Sequence, residues 1–269
     1  MRHHIPGAAP RLVATTGLLA LTLVAACGGD DNATTGSTTS GSTAGSTPAT
    51  PVIDPGDGGH YAPEIDPANF VAGIDNPYMP WVAGSRWVFR GETDGEPERN
   101  VVVVTNRHKT IQGIEATVVR DRVFSGDQLK EDTFDWYAQD HDGNVWYLGE
   151  DTKEYEDGKV ASTEGSWETG VDRALPGIAM PADPKVGHAY RQEYYAGEAE
   201  DMGEIIDVGG SVDVPAGHYD DVVTTKDWTP LEADVIEQKM YAPGVGVVRE
   251  TLVAGGDELN ELVKFTPGG

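Results

Sequence analysis

The chain has 269 residues, with 19 Lys and Arg against 45 Asp and Glu, a formal net charge of −26. A charge of this sign is repelled by phosphate backbones and by anionic headgroups, which argues against a nucleic-acid partner and against a polybasic membrane patch. The single Cys excludes a disulfide framework and a thiolate metal site within the chain, while the length allows one domain of about 200 residues with a sizeable core.

The N-terminus carries the pattern of an export signal. Arg2 and Arg11 supply positive charge ahead of an uncharged apolar run, Leu12 to Ala26. This run is shorter than the roughly 20 residues a membrane span needs and suits the apolar core of a signal peptide. It ends in Val24-Ala25-Ala26-Cys27, which resembles the bacterial lipobox. The resemblance implies that Cys27 is acylated by palmitate-type chains, becomes the first residue of the mature protein and holds it to the membrane on the extracytoplasmic side of the envelope. The alternative is an ordinary signal peptide with an incidental Cys. Past the leader, 17 basic residues face 45 acidic ones, a net of −28.

Residues 28–60 form a separate region. Ala33 to Thr50 holds no aromatic and no large aliphatic residue, and such a stretch cannot bury enough apolar surface to offset ordering. It reads as a disordered Gly/Ser/Thr-rich tether, and about 30 residues of such a coil reach roughly 30 Å. All six Trp and all ten Tyr lie from Tyr61 onward, so residues 61–269 form the single folded domain.

Within that domain the period is two rather than 3.6. Strands are expected at 86–90, 100–105, 114–124, 133–139, 145–149, 190–195, 221–228, 235–241, 245–253 and 259–265. Along 133–139 the alternation puts Phe134, Trp136 and Ala138 on one face and Asp135, Tyr137 and Gln139 on the other. Turns are expected at Gly95, Gln112-Gly113, Gly126-Asp127, Asp142-Gly143, Asp157-Gly158 and Gly209-Gly210. This spacing predicts an all-β, mainly antiparallel fold, a strongly curved sheet or incomplete barrel with little helix. Residues 165–187, with Pro176, Pro181 and Pro184, read as a long loop covering an edge or acting as a lid.

Three segments carry a resemblance: Pro80…Gly84…Trp87, Val214-Pro215-Ala216-Gly217-His218-Tyr219, and Tyr241-Ala242-Pro243-Gly244-Val245-Gly246-Val247-Val248. They are similar to the P-x-x-x-G-x-x-W, V-P-A-G-x-[FY] and Y-A-P-G-V-G-x-V motifs of uncharacterised secreted and lipid-anchored bacterial proteins. The resemblance implies a rolled sheet or half-barrel, like that of lipoprotein carriers, and transfers no catalytic residue.

Chemistry-bearing motifs are sparse. Asp140-His141-Asp142-Gly143-Asn144 resembles the start of a calcium loop, with Asp140, Asp142 and Asn144 as oxygen ligands, although its Gly is not where an EF-hand needs it. A tight hairpin turn explains the same residues without Ca²⁺. The acidic groups around Glu150, Glu154 and Asp201 read as solvated faces. No nucleophile elbow, phosphate loop or paired-His motif occurs, so nothing in the sequence supports an enzyme, and no cofactor is called for. Adjacent aromatics at Trp136-Tyr137 and Trp146-Tyr147 must point to opposite faces, so one of each pair lines solvent, a second layer or a cavity. The leading expectation is a non-enzymatic module binding an apolar or lipidic ligand, with Trp136, Trp146 and Trp167 lining the site. A surface glycan- or protein-binding module is the alternative, and a carboxylate-dependent hydrolase the third reading.

Overall fold

The computed structural model describes residues 61–93 and 95–269; the leader, Cys27 and the tether lie outside the described residues. A two-residue strand, β1 (Phe70–Val71), precedes a meander of β2 (Arg86–Thr93), β3 (Glu96–Ile111), β4 (Ile114–Ser125), β5 (Gln128–Asp140) and β6 (Val145–Asp151). Short strands follow: β7 (Glu154–Glu156), β8 (Lys159–Ser162), β9 (Trp167–Glu168), β10 (Leu175–Met180), β11 (Ala189–Arg191) and β12 (Glu193–Tyr194). A second meander ends the domain: β13 (Met202–Val214), β14 (Gly217–Trp228), β15 (Ile236–Ala242), β16 (Gly246–Ala254) and β17 (Glu258–Thr266). Helix is confined to two 3₁₀ turns, Pro67–Asn69 and Pro230–Glu232.

The two meanders join at both sides. β17 pairs with β2, and β10 bridges β6 to β12 while β11 pairs with β13. The result is a nearly closed antiparallel barrel, which hides the edges that so many strands would otherwise expose. Hairpin chemistry fixes the register. Gln112-Gly113 and Asp157-Gly158 both have positive φ at both positions (49° and 86°, 50° and 72°), as a two-residue type I′ turn requires.

Two expectations need correction. Residues 165–187 are neither lid nor simple cover, because their buried stretch from Pro176 to Pro181 includes β10, the strand that closes the sheet. The prolines obscured the strand in the sequence, but a strand this short tolerates one: Pro176 lies opposite Glu193. Gly177 admits the close approach, since a Cβ there would come within 2.2 Å of the Gln192 backbone. Gly209-Gly210 is not a turn but a bulge inside β13, with Gly209 at φ 83° and the register to β14 shifting on either side of Gly210.

Alternation places the side chains as the period of two predicts. On β5, Glu131, Thr133, Asp135, Tyr137 and Gln139 face the interior, while Phe134, Trp136 and Ala138 face out. One end of the interior is filled by a chain of rings: Phe265, Trp87, Trp81, Tyr137, Tyr147 and Trp167, with successive centroids 4.8–5.6 Å apart. Two of the sequence motifs meet here. The Trp87 indole N–H donates to Val245 O at 2.8 Å, and Gly244 N–H donates to Pro77 O at 2.7 Å. Their glycines, prolines and aromatics thus serve one junction, where the segment before β2 seats on the β15–β16 turn.

Candidate functional site

The three tryptophans expected to line one site are not brought together. Trp136 projects from the outer face and is covered by Lys109, whose Nζ sits 3.1 Å from the ring centroid and pairs with Glu168 at 2.7 Å. Trp146 is also on the outer face, edge-on to Phe70, with its indole N–H donating to Asp140 Oδ2 at 2.8 Å. Trp167 points inward, edge-on to Tyr147, and donates to Glu193 Oε2 at 2.6 Å. All three are buried.

The Asp140–Asn144 turn is tied by its own side chains. Asp140 accepts from Asn144 N and Nδ2 as well as from Trp146, and Asn144 Oδ1 accepts from Ala182 N. Among the described residues no three His, Cys, Asp or Glu side chains converge at metal-ligand geometry. Asp142 is exposed and faces a cleft instead.

That cleft, of about 710 Å³, lies at the aromatic end of the barrel. The stretch 71–75 and residues 81–83 form one wall, and Thr105, His108, Thr117 and the 139–143 turn form the other. Asn76 holds the walls together. Its Nδ2 donates to Gly143 O and Pro181 O, its N–H donates to Gln139 Oε1, and Gln139 Nε2 donates to Asp75 Oδ1. Trp81, only 6% exposed, closes the bottom of the cleft with one edge of its indole, while Asp75, His108, His141 and Asp142 supply exposed polar groups around it. The volume falls within the range of small-ligand sites, and one aromatic surface with convergent polar groups is their usual chemistry. The sequence pointed to this turn through Asp140 and Asp142 but not to Trp81, which read only as part of a fold motif.

Beyond the rings, the other half of the interior is acidic. Asp121, Glu131, Asp135, Glu150, Glu193, Asp201, Asp227, Glu237, Glu250 and Glu258 are all buried there. They come from β4, β5, β6, β12, β14, β15, β16, β17 and the approach to β13, so nearly every wall contributes. Among the described residues, Lys239 is the ammonium in contact with them, 3.0 Å from Glu237 and 3.4 Å from Asp227. Burial acts to lower its pKa, but Glu237, Asp227 and Glu250 together hold it well above the ordinary lysine value.

Burial and mutual repulsion push the carboxyls the other way from a solvated acid. Glu258 and Asp135 rise to about 8, each chiefly by burial and then by the nearest acid, Glu237 and Asp121 respectively. Asp201 rises to about 7, burial outweighing the Lys239 ammonium. Glu131, Glu150, Glu193 and Glu250 are raised well above the carboxylate range for the same first cause. Several oxygens here lack any hydrogen-bond donor, among them Glu250 Oε1, Asn100 Oδ1 and Asn260 Oδ1. Glu150 and Asp201, expected on solvated faces, are therefore interior groups. Their strands alternate correctly, but local sequence cannot say which face is inside.

No protein-family model matches the chain, and no curated protein matches it in sequence. Among solved structures, a candidate lipoprotein from Parabacteroides distasonis ATCC 8503 is 13% identical with a TM-score of 0.40, covering 71% of this chain and 99% of that one. A candidate exported protein with a YmcC-like fold from Bacteroides fragilis NCTC 9343 is 15% identical with a TM-score of 0.39, covering 73% and 100%. Likeness at this level carries no functional implication.

Proposed function

We propose that the chain is an extracytoplasmic module, held to the membrane through acylated Cys27, that binds a hydroxyl-rich ligand such as a short glycan in the cleft over Trp81. The supporting observation is the cleft itself: an indole edge at its bottom, rimmed by exposed Asp75, His108, His141 and Asp142. A sugar offers this combination both an apolar face and hydroxyls for the rim. The leading expectation of the sequence, an apolar or lipidic ligand inside the sheet, finds less support than its glycan-binding alternative. Tyr137, Tyr147 and Trp167 are buried against one another, and the space beyond them is lined by carboxyls. A carboxylate-dependent hydrolase needs its acid pair open to substrate, and these carboxyls are enclosed.

The test is a glycan array probed with the full chain, alongside the double variant His141→Ala/Asp142→Asn, whose side chains are exposed. Binding lost in the variant at unchanged Tm supports the cleft. Native mass spectrometry that finds a lipid-sized mass released on solvent extraction, with no glycan bound, overturns the reading in favour of a lipid carrier.

A further inference from the structure

Nine arginines follow the leader, and six of them stand together: Arg86, Arg90, Arg99, Arg107, Arg120 and Arg122. They lie on β2, β3 and β4 and share the outer face. The register shows the packing directly. Arg90 is opposite Arg99, Arg99 is opposite Phe124, and Arg120 is opposite Phe134. Arg99 and Arg122 both lie over Phe124, with centroid distances of 4.1 and 5.9 Å, and Arg107 and Arg120 both lie over Phe134, at 5.3 and 5.1 Å. Val101, outward on the same strand, is only 1% exposed beneath the side chains around it.

Arg120 pairs with Asp132 through two 2.7 Å hydrogen bonds. Among the described residues the other five make no ion pair. Like charges directly across a sheet, as at Arg90 and Arg99, are destabilising, so this face costs the fold something to keep. Arg122 shows the strain most clearly. Its Nε is buried without an acceptor, and burial, then Arg120, Arg86 and Arg99, hold its guanidinium below the ordinary arginine value against the opposing pull of Asp132 across the sheet. All this sits on a protein of net charge −26.

We propose that the outer face of β2–β4 is a docking surface for a linear polyanion whose repeating groups are phosphates. Neighbouring strands are about 4.8 Å apart and same-face residues about 7 Å apart along a strand, so the guanidiniums form a lattice wider than one ion can touch. Guanidinium forks match phosphate oxygens bidentately. A lipid surface fits less well. Among residues 86–134 no large hydrophobic side chain is exposed, and both phenylalanines are capped by arginine, so nothing is available to insert. The sequence hid this face because its arginines are spread over 37 residues and interspersed with acids. The exclusion of basic surfaces by net charge holds for the whole chain but not for this patch.

The test is binding of the full chain to long-chain inorganic polyphosphate at several salt concentrations, with inorganic phosphate at equal phosphorus content as control. Saturable binding that weakens steeply with salt is expected. A loss of about 10-fold or more is expected in Arg90→Gln/Arg99→Gln, with Tm followed alongside because the relieved Arg90–Arg99 repulsion is set against the lost Arg99–Phe124 stack and the Glu261 opposite Arg90. The control Lys159→Gln/Lys185→Gln, on other elements, should lose less than about twofold. Equal loss in the two double variants overturns the proposal, as does absence of binding at low salt. Binding to phosphatidylglycerol vesicles without polyphosphate binding reassigns the face to a membrane. Self-association relieved by Arg90→Gln/Arg99→Gln reassigns it to a second copy of the acidic chain.

Discussion

Tyr137 and Asp135 are two residues apart on β5 and point the same way, yet they enter different interiors. Tyr137 stacks on Tyr147 with centroids 4.8 Å apart and meets Trp81, and no charge is needed to fill that space. Asp135 accepts from the Tyr147 hydroxyl at 2.9 Å and then faces other carboxyls. One half of the barrel is held by apolar burial, which barely depends on pH. The other half is held only if its acids are neutral or answered by Lys239. The same strand carries this gradient outward to Gln139 and the cleft, so the ring layer separates the cleft from the acids.

Two truncations should separate the halves by pH. Lys239→Met removes the ammonium from Glu237 and Asp227 and should cost about 3–5 kcal/mol at pH 8. The cost should shrink as pH falls to 5, because burial raises the pKa of both partners and protons then take over from the ammonium. Trp87→Ala, in the ring layer, should cost a similar 3–5 kcal/mol, but equally at both pH values. Denaturant unfolding of each variant at the two pH values checks this; an equal pH response in both would break the distinction between the halves.

The whole domain should follow its acidic half. A carboxyl whose pKa is raised on folding contributes stability that is present below its unfolded value, near 4, and lost as pH rises through its folded value. With Asp135 and Glu258 near 8 and Asp201 near 7, that loss runs from about pH 4 to about pH 8. Each tenfold rise in a carboxyl's proton affinity is worth about 1.4 kcal/mol, so even about three such factors realised across these groups should drop Tm by on the order of 10 °C between pH 5 and pH 8.5. Ordinary surface acids, salt-bridged in the fold, would give the opposite slope.

Smaller changes sharpen the same contrast. Glu250→Gln removes an acid whose Oε1 has no donor and should stabilise by about 1–2 kcal/mol at pH 8, with little effect at pH 5. Tyr137→Phe deletes a buried hydroxyl that lacks a partner and should change stability by no more than about 1 kcal/mol, in the stabilising direction if any. A large loss in Tyr137→Phe would mean the ring layer depends on a hydrogen bond through that hydroxyl.

The fold class was legible because its signals are local. Period-two alternation marked β2, β4 and β5, and Gly at positive φ marked the hairpins at Gly113 and Gly158. What stayed hidden depends on partners distant in sequence. β10 is a strand because β6 and β12 flank it, and the Gly209-Gly210 bulge is a bulge because β14 continues past it. The site was legible only in part. Alternation predicted that Trp136 and Tyr137 diverge, but which of them faced the interior depended on how the sheet curls. Asp140 and Asp142 marked the correct turn, whereas Trp81 joined it through contacts distant in sequence, the bonds of Asn76 to Gly143 and Pro181 and its own packing on Tyr137. The interior acids could not be told from the many solvated ones, since both alternate identically along their strands.

Infrared spectroscopy of the full chain at pH 7 reads the protonation of the barrel interior, because the carbonyl band of a protonated carboxyl is distinct from that of a carboxylate. A protonated-carboxyl band is expected at pH 7, reduced in Glu258→Gln and fading only as pH passes about 8, the value reached by Asp135 and Glu258. Absence of that band at pH 7 in the folded protein would contradict the division into an apolar and an acidic half, and would mean that the acids inside the barrel are ionised and balanced by something other than protons and Lys239.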